Sequence, residues 1–208
     1  MDSAGTLTQN KISVHRLVTP NKMYAFGQGD GPSPGAELKY LRRIMALCNN
    51  ATSDNGKFAG DSTDIALLAC VLDMEDVDRT SHHLSCFMQD VDDDGATTED
   101  FEAYHRVSEK PFSSATKYQI TVCQKPNEDY ESYLKGAPET VLAMCDRIMG
   151  ICGKPEKLGE RGRKWFNTAL TSLASKGERC LGLAYRPVDE CDPIQESNFI
   201  FVAIVGMM

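Results

Sequence analysis

The stretch LKGAPE at residues 134–139 is the part of the chain from which the other segments are best interpreted. It places a lysine and a glycine at the end of a β-like run, directly before a proline that can open a helix. One cation therefore stands beside exposed backbone amides, which is the chemistry of an anion cradle. Because so short a motif has low specificity, its meaning depends on the segments before and after it.

Two β-strands are predicted just before this motif. Residues 116–122 alternate between an apolar face and a polar face that carries Lys117, Gln119 and Thr121. Residues 130–135 are the expected antiparallel neighbour, which brings a lysine to the end of the strand pair. The pair would turn its apolar side to the core and offer a cation and an amide to a cleft, with Phe112 just before the first strand.

The remaining elements are predicted from caps, apolar stripes and turn residues. Pro32 breaks the dinucleotide-loop pattern in the glycine-rich segment 27–35, so a loop is expected there. Helices are predicted from Ser33 and Pro34 to Cys48, from Asp61 or Ser62 through Leu72, and at 137–149 and 159–176; strands are predicted at 11–18, 23–26 and 106–111, and from Cys180 and Phe199.

Composition and charge limit the function. With 41% hydrophobic residues the 208-residue chain can bury a sizeable core, and its net charge of −8 argues against binding duplex nucleic acid. The eight cysteines form no CxxC pair, so reduced and mostly buried thiols are expected. No signal peptide and no apolar run long enough to span a bilayer occur in the sequence, which predicts a soluble chain.

An acidic segment at 75–102 contains a partial calcium-binding pattern. Asp90, Asp92, Asp94 and Gly95 match the first half of an EF-hand loop, but Phe101 occupies the position of the bidentate glutamate. A solvated surface insertion is the preferred interpretation, and weak calcium binding at 90–102 is the alternative.

Six motifs follow one another along the chain: DSAGTLTQN from Asp2, GDSTDIALL from Gly60, FSSATKYQITV from Phe112, KGAPE from Lys135, GERCLGLAYR from Gly177 and FVAIVGMM from Phe201. In this order they resemble the nucleotide-binding domain of a cation-transporting P-type ATPase. The Phe112 motif is most similar to the sodium/potassium and proton/potassium pumps, with calcium pumps next. The resemblance implies an α/β (α+β) fold in which helices flank a twisted antiparallel sheet of about six to seven strands.

The resemblance also implies an ATP pocket. Phe112 is the expected adenine-stacking ring, Lys117 and Lys135 supply positive charge, Gln119 hydrogen-bonds nearby, and Gly136 lets the ligand approach the backbone. Core packing for the ring and plain surface positions for the lysines are the alternatives.

Two further residues complete this expected pocket. Arg179 is the expected phosphate contact, because a guanidinium fork suits phosphate oxygens. Asp64 falls where the family usually has a glutamate that accepts a hydrogen bond from the adenine amino group, and it is one methylene shorter. The alternatives are a salt bridge for Arg179 and a water-exposed partner of the helix dipole for Asp64.

The first residues depart from the family pattern. Asp2 aligns with the phosphorylated aspartate, but Ser3 and Ala4 replace the lysine and threonine that should follow it. Phosphoryl transfer to Asp2 is therefore not expected in this chain. The magnesium-binding aspartates of the family are also expected beyond residue 208, so no metal ligand is predicted here.

The sequence predicts three parts: residues 1–9 as a remnant of the phosphorylation-domain loop, 10–198 as the nucleotide-binding domain, and 199–208 as a strand that returns to the phosphorylation domain and is cut short. In the intact pump, at the cytosolic face of a membrane, the domain would present ATP with Mg²⁺ to the aspartate and work with the phosphorylation and actuator domains. The alternatives are a free-standing haloacid-dehalogenase-like phosphatase and a calcium-binding interaction module.

Overall fold

A computed structural model describes residues 12–26, 36–54, 57–80, 103–150, 153–188 and 194–208. Its elements follow in chain order: β1 Val14–Val18, β2 Met23–Ala25, α1 Ala36–Leu47, β3 Thr52–Asp54, β4 Lys57–Ala59, α2 Ser62–Thr80, β5 His105–Lys110, β6 Tyr118–Gln124, β7 Tyr130–Gly136, α3 Pro138–Ala143, β8 Cys145–Met149, β9 Pro155–Lys157, α4 Glu160–Ala174, β10 Arg179–Val188 and β11 Phe199–Met207. None of the helices in these ranges has the length and hydrophobicity needed to cross a bilayer.

One large sheet organises the fold. Its strands run in the order β2-β1-β11-β10-β7-β6-β5, with β8 beside β11 and β9 beside β8. The predicted antiparallel sheet flanked by helices is confirmed, but it has nine strands in the described ranges, and β8 runs parallel to β11. The extra strands, β8 and β9, come from segments that the sequence prediction assigned to a helix or left unassigned.

The last strand, β11, lies in the middle of this sheet. It pairs with β10 along one edge and with β1 and then β8 along the other. All nine of its residues are buried, as expected for an apolar strand covered on both faces. Within this chain, β11 therefore belongs to the same structural unit as the strands before it. The boundary at residue 198 remains a prediction about a longer protein.

The helices cover both faces of the sheet and form two cores. On one face, α1 and α2 pack through Leu41, Ile44 and Leu67 against alternate strand residues. On the other face, α3 and α4 pack against the opposite strand residues, and the ring of Phe166 meets Phe201 edge-on at 5.4 Å between centroids. The central strands β6, β7, β10 and β11 are thus buried on both faces along most of their length.

The predicted helix at 137–149 is wrong beyond its first half. Helix α3 ends at Ala143, and β8 begins at Cys145. The carbonyl of Met144 accepts a hydrogen bond from the Phe199 amide at 3.1 Å, so the backbone leaves the helix to join β11. The first residues of β11 are not covered by β1, and β8 pairs with their free edge. A local apolar pattern does not reveal this pairing.

The described cysteines lie mostly in the core, and their reduced state remains a prediction. In the described ranges, Cys48, Cys70, Cys123, Cys145 and Cys180 are free, and all but Cys180 are buried. Burial raises the pKa of Cys70 to about 12 and that of Cys123 to about 12, so neither is a reactive thiolate at neutral pH. These cysteines act as small core residues.

Candidate functional site

The residues predicted to bind nucleotide that fall in the described ranges lie at one end of the sheet. In the strand register Tyr118 faces Gly136, and Gly136 faces Gly182. The start of β6, the end of β7 and the start of β10 are therefore neighbours. This strand end, the 111–117 loop before it and the start of α2 are called the sheet-end site below. The predicted residues at this site are Asp64, Phe112, Lys117, Gln119, Lys135, Gly136 and Arg179.

Gly136 holds two strands in close contact. A Cβ atom at this position would lie 2.5 Å from the carbonyl oxygen of Lys117 and 2.7 Å from the Cα of Tyr118. The same carbonyl accepts a hydrogen bond from the Ala137 amide at 2.9 Å. Close backbone packing, rather than a positive φ, is thus the reason that only glycine fits here.

The 111–117 loop presents an aromatic ring and a cation. The Lys117 amide donates to the Ser113 carbonyl at 2.7 Å, and the Thr116 amide donates to the Ser113 hydroxyl at 3.1 Å. Lys117 takes a positive φ of 64°, which turns the chain into β6. Phe112 keeps 55% of its surface exposed. Core packing does not explain this ring, which is free to stack against a ligand.

Lys135 and Asp64 form a buried ion pair at the floor of the sheet-end site. The ammonium of Lys135 donates to Oδ1 of Asp64, and the two side chains are only 6% and 10% exposed. The backbone amide of Asn50 donates to Oδ2 of Asp64 at 2.9 Å. Asp64 is therefore not a water-exposed partner of the helix dipole, and Lys135 is not a surface lysine.

A hydrogen-bond network centred on Glu109 supports Gln119. The Gln119 amide nitrogen donates to Oε1 of Glu109 at 3.0 Å, and the Asn50 side chain donates to the same oxygen at 2.8 Å. Arg106 pairs with Oε2 of Glu109 at 3.2 Å. Both Gln119 and Lys135 are buried and face each other across β6 and β7, so this network adjoins the ion pair.

Arg106 also caps the C-terminal end of α1. Its guanidinium donates to the carbonyls of Leu47 at 3.0 Å and Asn49 at 2.6 Å. The Asn49 side chain donates to the Asp64 carbonyl at 2.9 Å, which joins α1 to α2. A cation at a helix C-terminus satisfies its last carbonyls and opposes the negative end of its dipole.

Sequence reasoning missed Asn50, Arg106 and Glu109. These residues stand in a helix end and an edge strand, and no local motif marks them. They meet because β5 pairs with β6 in a register that sets Glu109 opposite Thr121. Cross-strand register and the docking of α1 belong to the tertiary structure, which local sequence patterns do not encode.

Arg179 lies at the rim of the sheet-end site. It shares a face of the sheet with Leu183, which stands opposite Lys135. Partial burial alone would raise the pKa of Asp61, but the hydrogen bonds from Thr63 and the positive charge of Arg179 outweigh it and lower that pKa. Arg179 thus adds an exposed cation near the start of α2.

The other predicted features lie elsewhere. Asp2, Ser3, Ala4 and the 90–102 segment fall outside the described residues. A groove of about 610 Å³ beside Trp165 and Arg161 contains none of the residues of the sheet-end site. In the ranges that the structure describes, no cluster of three or more histidine, cysteine or acidic side chains is arranged to hold a metal ion.

Comparison with known proteins gives one family. Residues 37–208 match the family described as P-type ATPase, cytoplasmic domain N. The whole chain is similar to the sodium/potassium-transporting ATPase subunit alpha-3 of Gallus gallus, at 29% identity, and to the potassium-transporting ATPase alpha chain 2 of Oryctolagus cuniculus, at 30% identity. The chain spans 22% and 20% of the length of these relatives.

Proposed function

The chain belongs to the P-type ATPases, matching their cytoplasmic domain N, and from this premise we propose that it binds ATP at the sheet-end site. The observation that supports the proposal most strongly is that an exposed aromatic ring, two exposed cations and the glycine at the end of β7 lie together at the sheet-end site. A flat apolar surface beside positive charge suits a nucleoside triphosphate.

Each residue has a distinct task in this proposal. Phe112 stacks on the adenine ring, and Gly136 lets the nucleotide lie against the backbone. Lys117 and Arg179 contact the phosphates, because both are exposed cations at the rim. Lys135 adds positive charge from the floor of the site, where Asp64 holds it in place.

In a longer protein, this domain would deliver ATP for phosphoryl transfer to an aspartate at the Asp2 position. P-type ATPases use ATP and Mg²⁺ in general, and closure of the N domain over the phosphorylation domain would couple hydrolysis to cation transport. The actuator domain would be a further partner in the same chain. Transport of sodium, potassium or protons is the proposed activity of the longer protein, in line with the names of the relatives. The present chain would bind nucleotide without turnover.

Replacing Phe112 by alanine is expected to weaken ATP binding by about tenfold, because stacking of a base on an aromatic ring contributes about 1–3 kcal/mol. Calorimetry with the full 208-residue chain would measure the change in Kd. Met23→Ala is the matched control, since Met23 is also 55% exposed but lies on β2 at the opposite edge of the sheet. Equal Kd values for Phe112→Ala and the unmodified chain would exclude this ring from the pocket.

A further inference from the structure

A second concave surface lies apart from the sheet-end site. It is the groove of about 610 Å³ between the end of β8, strand β9, the start of α4 and the turn that joins β1 to β2, and it is called the β9–α4 groove below. The Asn21 side chain donates to the Gly150 carbonyl at 2.9 Å. This hydrogen bond ties the β1–β2 turn to the end of β8, so two walls of the groove are held together directly.

The lining of the β9–α4 groove is basic, although the whole chain has a net charge of −8. Five basic and two acidic residues lie at positions 154–164. Lys154, Lys157 and Arg161 line the groove and are exposed, and they outnumber the acidic Glu156 in the same lining. In the part of the chain that the structure describes, none of these three cations has a salt bridge or a side-chain hydrogen bond. Their charge is therefore available to an anionic partner.

The more buried part of the lining is apolar. Ile148 is only 4% exposed, and the partly buried ring of Trp165 meets Phe201 edge-on at 6.2 Å between centroids. None of the large apolar side chains that stand exposed in the described ranges lines the groove. A surface that inserts into a membrane needs such protruding side chains. A recessed apolar floor beside cations instead suits a peptide that carries an apolar side chain among carboxylates.

The outer edge of β9 is poorly suited to pairing with another strand. In the described ranges β9 pairs with β8 alone. Pro155 has no N–H to donate, and the carbonyl of Lys157 already accepts from the Gly159 amide at 2.8 Å. An extended chain added at this edge would find few main-chain partners. Recognition in the groove must therefore come from side chains.

We infer that the β9–α4 groove binds an acidic peptide segment of a partner protein. An apolar side chain of the peptide packs against Trp165, and its carboxylates lie beside the three cations of the lining. The guanidinium of Arg161 can hold a carboxylate with two parallel hydrogen bonds, and the lysines add positive charge. This inference is independent of ATP binding, because the groove contains none of the residues of the sheet-end site.

Trp165 provides a direct readout, since it is the only tryptophan among the 208 residues. The full chain would be titrated with a synthetic peptide of about seven residues, in which glutamates and aspartates surround one central leucine. The fluorescence of Trp165 should change with a Kd of about 100 μM or lower. Raising the salt from about 50 to about 300 mM should weaken binding at least about fivefold, because exposed charges are screened. No change in fluorescence at about millimolar peptide would overturn the inference.

The double variant Lys157→Glu with Arg161→Glu tests the location of the site. Affinity for the acidic peptide should fall at least about tenfold, because two of the three cations become carboxylates. Both positions are exposed, so the fold should be retained. Lys57→Glu with Lys176→Glu is the matched control, because it changes the net charge equally at exposed positions outside the groove. Equal losses of affinity in the two double variants would show a general effect of charge and overturn the site.

Two other occupants would give different results. Sedimentation of the chain alone that showed a dimer, lost in Lys157→Glu with Arg161→Glu, would assign the groove to a second copy. Binding to phosphatidylserine vesicles that was lost in the same variant, without binding of the acidic peptide, would assign it to a membrane surface. Either result would overturn the peptide assignment.

Discussion

Replacing Lys135 by methionine is expected to lower the free energy of unfolding by about 3–5 kcal/mol, because it leaves a buried carboxylate without its charge partner. Asp64 is 7% exposed, and its side chain has little access to water that could take the place of the ammonium. Methionine keeps most of the length and apolar stem of the lysine, so the loss of charge dominates. Urea denaturation would measure the change through the midpoint.

The double variant Asp64→Asn with Lys135→Met separates stability from binding. Removing both charges should restore most of the lost stability, since the cost lies in the unpaired ion and not in the absent pair. ATP should bind more weakly to both variants than to the unmodified chain, because neither has the Lys135 ammonium as a hydrogen-bond donor. A double variant as unstable as the single Lys135→Met would contradict the buried ion pair as the cause.

Replacing Gly136 by alanine is the second change with a large expected effect. The new methyl group would lie 2.5 Å from one backbone atom and 2.7 Å from another on β6, so the strands themselves must move apart. Overpacking against side chains costs about 1–3 kcal/mol, and a clash with backbone should cost about 3 kcal/mol or more. Thermal unfolding would show the loss, and ATP affinity would fall as the strand end shifts.

Gly159→Ala is the matched control for this experiment. The nearest heavy atom to a Cβ at Gly159 is 4.0 Å away, and its backbone φ of −90° suits any residue. The control should lose no more than about 1 kcal/mol, as expected for a helix N-cap position. If both variants lost the same amount of stability, close packing of β6 and β7 would not be the reason for glycine at position 136.

The strands that carry the site were predictable, because the sequence of each strand alone shows the pattern of a β-strand. Alternation at 116–122 and the Gly-Ala-Pro sequence after Lys135 were enough to predict β6, β7 and the start of α3. The motif order predicted the family, which the comparisons confirm. The conformation of residues 145–149 could not be predicted from local sequence, because they form a strand only by pairing with the free edge of β11. At these residues, pairing with the sheet outweighed the helix-like apolar pattern of the sequence.

The polar interior of the site was not predictable for a related reason. Lys135 and Asp64 are 71 residues apart in the chain, and Asn50 lies between them and Glu109 only after α1 docks on the sheet. Burial of the pair rules out the alternatives of a surface lysine for Lys135 and a water-exposed partner of the helix dipole for Asp64. Partners of this kind depend on strand register and helix placement, which short sequence windows do not encode.

The most direct test of the proposed ATP site is an NMR titration of the 208-residue chain with ATP, followed through backbone amide shifts. The proposal predicts that amides at 112–117, at Gln119, at 135–137 and at Arg179 shift together with one Kd, while those of β2 and α4 stay in place. No shift in the first group at about millimolar ATP, a concentration that would reveal even a complex held by only about −4 kcal/mol, would contradict the account. Shifts confined to the groove beside Trp165 would contradict it equally.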